Sequence, residues 1–165
     1  MIKRIIILIQ LLIVSFINGF SQPFDSLVIS KNAIYFEIFG SAGYVYNISY
    51  DRIIIQQNRQ NITIGLGVQY YKGDMSEDKL QTISPQINYL LGFNRHFFEL
   101  GAGYYWDFYD SDMNSLIMRI GYRYQKKNGL FFKIGITPIL TKSFPIFGEG
   151  YKILPWGGIG LGYAF

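Results

Sequence analysis

From residue 32 onward the chain is written in a two-residue rhythm. In 61–71, Ile62, Ile64, Leu66, Val68 and Tyr70 alternate with Thr63, Gly65, Gly67, Gln69 and Tyr71. Successive side chains of a strand point to opposite faces, so this stretch is a strand with one apolar face and one small or polar face. The same alternation recurs in 32–40, 43–54, 82–91, 96–106, 115–125, 130–140 and 154–165. Eight such segments of about ten residues each fit a closed antiparallel barrel, whose even strand number returns both ends to one side. Ten strands would leave little room for connections.

The two faces decide what surrounds the barrel. One is rich in glycine, with Gly65, Gly67, Gly101, Gly103, Gly121, Gly135, Gly158, Gly160 and Gly162. Glycine weakens a strand, and a solvated exterior gains nothing from so many. A narrow eight-stranded interior does gain, because small residues make room for long neighbours. The other face is apolar and tipped with Tyr44, Tyr50, Tyr70, Tyr89, Tyr104, Trp106, Tyr122, Tyr124 and Tyr163. An apolar band edged by aromatic residues matches a bilayer and its interfaces. The expected fold is therefore an all-β, eight-stranded antiparallel up-and-down transmembrane β-barrel. It accounts for a chain that is 50% hydrophobic and only 16% charged yet lacks long apolar runs in its body.

The first residues follow a different grammar. Lys3 and Arg4 precede the apolar run 5–17, and Gly19 and Ser21 place small residues before Gln22. That is the layout of a secretory signal peptide, too short for a spanning helix of about 20 residues. The expected division is a signal peptide over 1–21 and a barrel domain over 22–165. No cysteine follows the run, so no lipid anchor is expected there. Loss of Lys3 and Arg4 lowers the formal charge from +4 to +2. A basic protein of that modest charge gives no reason to expect nucleic acid as a partner.

The connections alternate as well. With a periplasmic N-terminus, even connections are short turns in the periplasm, at 56–60, 92–95 and 125–129. Odd connections are longer outer loops, at 72–80, 107–114 and 141–152; the tight one at 40–43 departs from the rule. Arg52, Arg59, Arg95, Lys126 and Lys127 gather at the periplasmic turns and flanks, with Asp51 the acid at a strand end. The outer loops hold most of the remaining acids.

The chain closes on Leu161, Gly162, Tyr163, Ala164 and Phe165. A terminal Phe with alternating aromatic and apolar residues looks like the C-terminal assembly signal of outer-membrane barrels, carried here by Leu161, Tyr163 and Phe165. With the signal peptide and eight strands, the chain resembles the small OmpA/OmpX-type outer-membrane barrels over nearly its whole mature length. The resemblance implies the outer membrane of a Gram-negative bacterium. It implies outer-membrane lipid and lipopolysaccharide as surroundings, and the barrel assembly machinery as a folding partner. It does not carry one activity, because this fold hosts structural proteins, adhesins, channels and enzymes.

Chemistry is sparse. The absence of cysteine excludes thiolate catalysis and cysteine metal sites, and one histidine leaves no His cluster. A lipid deacylase needs a His–Ser pair, but His96 falls at the periplasmic rim, away from outer-leaflet lipid. The alternating glycines of 157–162 lack the Lys-Ser/Thr ending of a phosphate loop. Asp107, Asp110 and Asp112 lack the glycine and terminal glutamate of a twelve-residue calcium loop. No enzyme activity, cofactor or metal is expected. Glu37, Glu99, Arg119, Arg123 and Lys133 fall on inward positions and form a candidate polar network in the lumen. In so narrow an interior they pair as a plug; the alternatives are a narrow channel or small hydrophobic-ligand carrier, and a lipid-modifying enzyme. The expected role is structural or surface interaction with a filled polar lumen.

Overall fold

The computed structural model describes residues 29–42, 46–57, 59–71, 79–144 and 148–165. The expected signal peptide, 1–21, lies outside the described residues, as does most of the outer loop at 72–80. Ten strands follow in order: β1 (Asn32–Phe39), β2 (Tyr46–Gln56), β3 (Gln60–Tyr71), β4 (Lys79–Phe93), β5 (His96–Asp107), β6 (Ser115–Gln125), β7 (Gly129–Ile136), β8 (Ile139–Phe144), β9 (Gly148–Leu154) and β10 (Gly157–Ala164).

The wall nevertheless has eight strands. Neighbours from β1 to β7 pair in sequence, β7 pairs with β10, and β10 pairs back onto β1, all antiparallel. Two strands of the expected eight are each cut in two. The seventh breaks at Thr137 and Pro138, and the eighth at Pro155 and Trp156. Proline has no N–H for a ladder, so regular pairing lapses there, although Thr137 N–H still donates to Trp156 O at 2.8 Å and Met118 N–H to Pro138 O at 2.9 Å. The resumed pieces, β8 and β9, pair with each other, and β8 also pairs with the first residues of β6. Much of the loop expected at 141–152 is thus a hairpin that prolongs the wall.

The short connections and both described chain ends lie at one end of the barrel, called here the turn end; the longer connections lie at the loop end. Asn94 and Asn128 take positive φ in the turns after β4 and β6, a conformation asparagine tolerates through local hydrogen bonding. Asn32 N–H donates to Phe165 O at 3.0 Å and sews the two chain ends together.

The alternation read from the sequence holds on the wall. Thr63, Ser84, Asn88, Glu99, Arg119 and Arg123 are buried, while Ile64, Ile87, Leu100, Met118, Ile120 and Ile134 are exposed. Among the described residues exposed large apolar side chains outnumber buried ones, the reverse of a water-soluble barrel. Phe39 departs from the pattern. It was expected to face inward, but its φ of 57° turns it outward, where its ring meets Trp156 edge-on at 5.7 Å.

Candidate functional site: the lumen

The glycines do inside the barrel what their spacing suggested. A Cβ on Gly65 would collide with the Asp51 carboxylate, and one on Gly101 with Asn88. The long polar side chains therefore occupy space that glycines on neighbouring strands leave open.

Five inward charges were expected, and all five are buried. Glu37 comes from β1, Glu99 from β5, Arg119 and Arg123 from β6, and Lys133 from β7; none is more than 3% exposed. Arg119 Nη1 lies 2.6 Å from Glu37 Oε1. Glu99 sits among three cations: Arg123 Nη1 at 3.7 Å, Arg119 Nε at 3.8 Å and Lys133 Nζ at 3.9 Å. These contacts are ion pairs without a direct hydrogen bond, since neither Glu99 oxygen has such a partner among the described residues.

A sixth charge completes the set. Asp51, grouped by sequence with the rim charges, is fully buried. Arg123 Nη1 donates to its Oδ2 at 2.8 Å, and the Tyr35 hydroxyl donates to its Oδ1 at 3.1 Å. Three carboxylates (Glu37, Asp51, Glu99) then face three cations (Arg119, Arg123, Lys133), and the cluster is formally neutral. A carboxylate or cation left over in such a place would bear its full desolvation cost.

Tyr35 is the second residue that sequence reasoning missed. Its hydroxyl accepts from Lys133 Nζ at 2.8 Å and from Gln86 Nε2 at 3.1 Å while donating to Asp51. Its ring stacks on Phe131 at 4.7 Å, and the Lys133 ammonium lies 4.3 Å from its centroid. Arg123 lies 4.6 Å from the Phe131 centroid. Both cations are thus held by an aromatic face as well as by carboxylates. The sequence signal was present: Tyr35 stands on the inward parity of β1, two residues before Glu37.

Both mouths are closed over this cluster. At the turn end Ile29 packs with Ile53, Leu90 and Phe97 inside the wall. Gln125 Nε2 donates to Ser30 O at 2.6 Å, fastening that lead segment across the opening. At the loop end Tyr105, Ile117, Ile139 and Leu154 form an apolar layer, with Met113 and Trp156 against it. The tight connection after β1 folds inward as a single 3-10 turn, Gly40–Ala42, packed against β1 to β5 and β10. Ser41 Oγ donates to Glu37 Oε2 at 2.5 Å and accepts from Asn47 Nδ2 at 3.2 Å. Gly158 permits that approach: a Cβ there would lie 2.5 Å from Gly40 Cα.

Two spaces lie among the described residues. A cavity of about 10 Å³, lined on its lumen side by Ser41, Ser84, Gln86, Asn88 and Arg119, is the size of one water. A wider recess of about 280 Å³ opens at the loop end beside Gln81, Tyr105, Asp107, Tyr109, Asp110 and Met113. Asp107 Oδ1 accepts from the backbone N–H groups of Tyr109 and Asp110, at 2.8 and 3.0 Å, and so caps its own turn. His96 lies on the outer wall at the turn end, its Nδ1 2.6 Å from the Tyr122 hydroxyl. Leu161, Tyr163 and Phe165 all face outward on or just after β10, each at least 50% exposed. No protein-family model, curated protein or solved structure matches the chain.

Proposed function

We propose that the protein is a small integral outer-membrane β-barrel of the OmpA/OmpX type, with a structural or surface-interaction role and a filled polar lumen. One observation carries the reading: the wall is inverted. Aliphatic side chains such as Ile64, Ile87, Met118, Ile134 and Leu161 form its exposed middle. Tyr50, Tyr122 and Tyr163 ring the turn end, and Tyr70, Tyr104 and Trp106 ring the loop end. In water such a surface is an aggregation hazard, whereas a bilayer core with two interfacial aromatic belts solvates all of it.

The outward aromatic and apolar residues Leu161, Tyr163 and Phe165 support delivery to the barrel assembly machinery. The run 5–17 behind Lys3 and Arg4 supports export. Outer-membrane lipid and lipopolysaccharide are then the immediate surroundings. The test is refolding of the purified chain into lipid. A barrel migrates differently on gels before and after boiling, and an identical position under both conditions would defeat the reading. In intact cells, protease cleavage within 72–80 supports loops on the outside, whereas cleavage only at Arg95 would invert the topology.

The channel and ligand-carrier alternatives have less support. Among the described residues the ionic cluster is neutral, apolar layers cross both ends of the lumen, and the cavity beside Arg119 holds about one water. In planar bilayers the expected record is flat. Discrete, charge-selective openings that vanish in Arg119→Ala would replace the plug with a path. Altered outer-leaflet lipid on expression would instead revive the lipid-modifying enzyme.

A further inference from the structure

The six charges of the lumen sum to zero, which leaves the charges of the turn end to be explained. Lys31, Arg52, Arg95, Lys126 and Lys127 are all exposed there, and none has an acidic partner among the described residues. Half-buried Arg59 adds a sixth cation. No acidic side chain is exposed at that end among the described residues; Asp107 and Asp110 stand at the other. Among the described residues, the exposed side-chain charges of the collar are therefore of a single sign.

Its placement says what it faces. Arg52 sits on the outward parity of β2, in line with Ile48 and Tyr50, so it points sideways from the wall and not along the axis. Arg95, Lys126 and Lys127 occupy the two turns that follow β4 and β6. The axis itself is crossed at this end by Ile29 and Ser30. Just above the collar runs the aromatic ring of Tyr50, His96, Tyr122 and Tyr163. Outward-pointing cations beneath an interfacial aromatic belt are the complement of anionic lipid headgroups, which attract Lys and Arg held near their surface.

We infer that this collar is a binding surface for the headgroups of anionic phospholipids in the leaflet that surrounds the turn end. The inference rests on the outer-membrane reading and adds a partner to it. Cations spaced around the rim hold lipid phosphates at several points.

The experiment uses the full mature chain refolded in neutral detergent, beside a variant carrying Arg52→Gln, Arg95→Gln, Lys126→Gln and Lys127→Gln. Both are first checked for heat-modifiable migration. If neither shows it, the outer-membrane reading fails and takes the inference with it. If both fold, mass spectrometry under non-denaturing conditions counts the dioleoylphosphatidylglycerol and dioleoylphosphatidylcholine each retains from an equimolar mixture. The wild type is expected to favour phosphatidylglycerol by at least about tenfold, the variant to approach parity, and 0.5 M salt to erase the difference. Equal retention of the two lipids by a folded wild type would overturn the inference while leaving the barrel standing. So would a variant that keeps the wild-type preference. Charge-dependent sedimentation with isolated peptidoglycan, in the absence of any lipid preference, would assign the collar to a polymer instead.

Discussion

Strand β6 carries two chemistries on one backbone. Leu116, Met118, Ile120 and Tyr122 are 39% to 52% exposed, while Arg119 and Arg123, on the alternate positions, are at most 3% exposed. The outward set is defined by a general property: each residue is apolar or aromatic, and one could replace another with little consequence. The inward set is defined by identity. Arg123 reaches Asp51 on β2, Gln125 on its own strand and the Phe131 ring on β7, and no other side chain fits all three. A barrel wall can therefore be loosely specified on one face and tightly specified on the other.

The comparison breaks first where the tight face is cut. Arg123→Ala leaves Asp51 without its ion pair and weakens the ring of cations around Glu99. Loss of one partner from a buried pair costs about 3–5 kcal/mol; urea unfolding in lipid vesicles should show it, and a cost below about 1 kcal/mol would mean the cluster is solvated. The loose face is tested next. Ile134→Arg puts a charge on the middle of the outer wall, where a bilayer exacts about 2–4 kcal/mol, but a solvated surface almost nothing. The same unfolding assay decides which applies. A smaller effect is expected at the loop-end seal. Ser41→Ala removes a hydrogen bond to the Glu37 carboxylate, worth about 1.5–3 kcal/mol, and should also speed amide exchange in 40–42. Smallest is Tyr50→Phe. It removes the exposed hydroxyl that donates to Asn32 Oδ1 at 2.7 Å and should cost no more than about 1 kcal/mol. A larger loss would mean that the outer rim is as tightly specified as the lumen.

These two grades of specification also explain what could be read from the chain. Alternation is a local signal, so parity assigned Glu37, Glu99, Arg119, Arg123 and Lys133 to the interior without knowing any strand's neighbours. Asp51 had the same parity, but its position near a strand end suggested a rim. Only the register that sets Asp51 beside Gly65 on β3, and the reach of Arg123 across the lumen, brings it into the cluster. Tyr35 was hidden for a related reason: a tyrosine on either face of such a strand looks alike, and its three polar partners come from β2, β4 and β7. The breaks at Pro138 and Pro155 were visible as residues. Their effect was not, because pairing that resumes beyond a proline depends on what lies across from it.

The closure of the wall has a consequence for the order in which the chain can assemble. Asn32 and Phe165 are hydrogen-bonded across 133 positions of sequence, so the seam forms only after the intervening hairpins exist. Contacts of such long range make folding slow. At that stage the inner faces are not neutral. Of the cluster residues, β1 to β4 carry Glu37 and Asp51, a charge of −2, whereas β5 to β10 carry Glu99 against Arg119, Arg123 and Lys133, a charge of +2. Within this cluster, an unclosed sheet thus carries its acids on one half and an excess of cations on the other. The attraction that draws the halves together at the seam is the same one that, once they meet, leaves the finished interior without net charge.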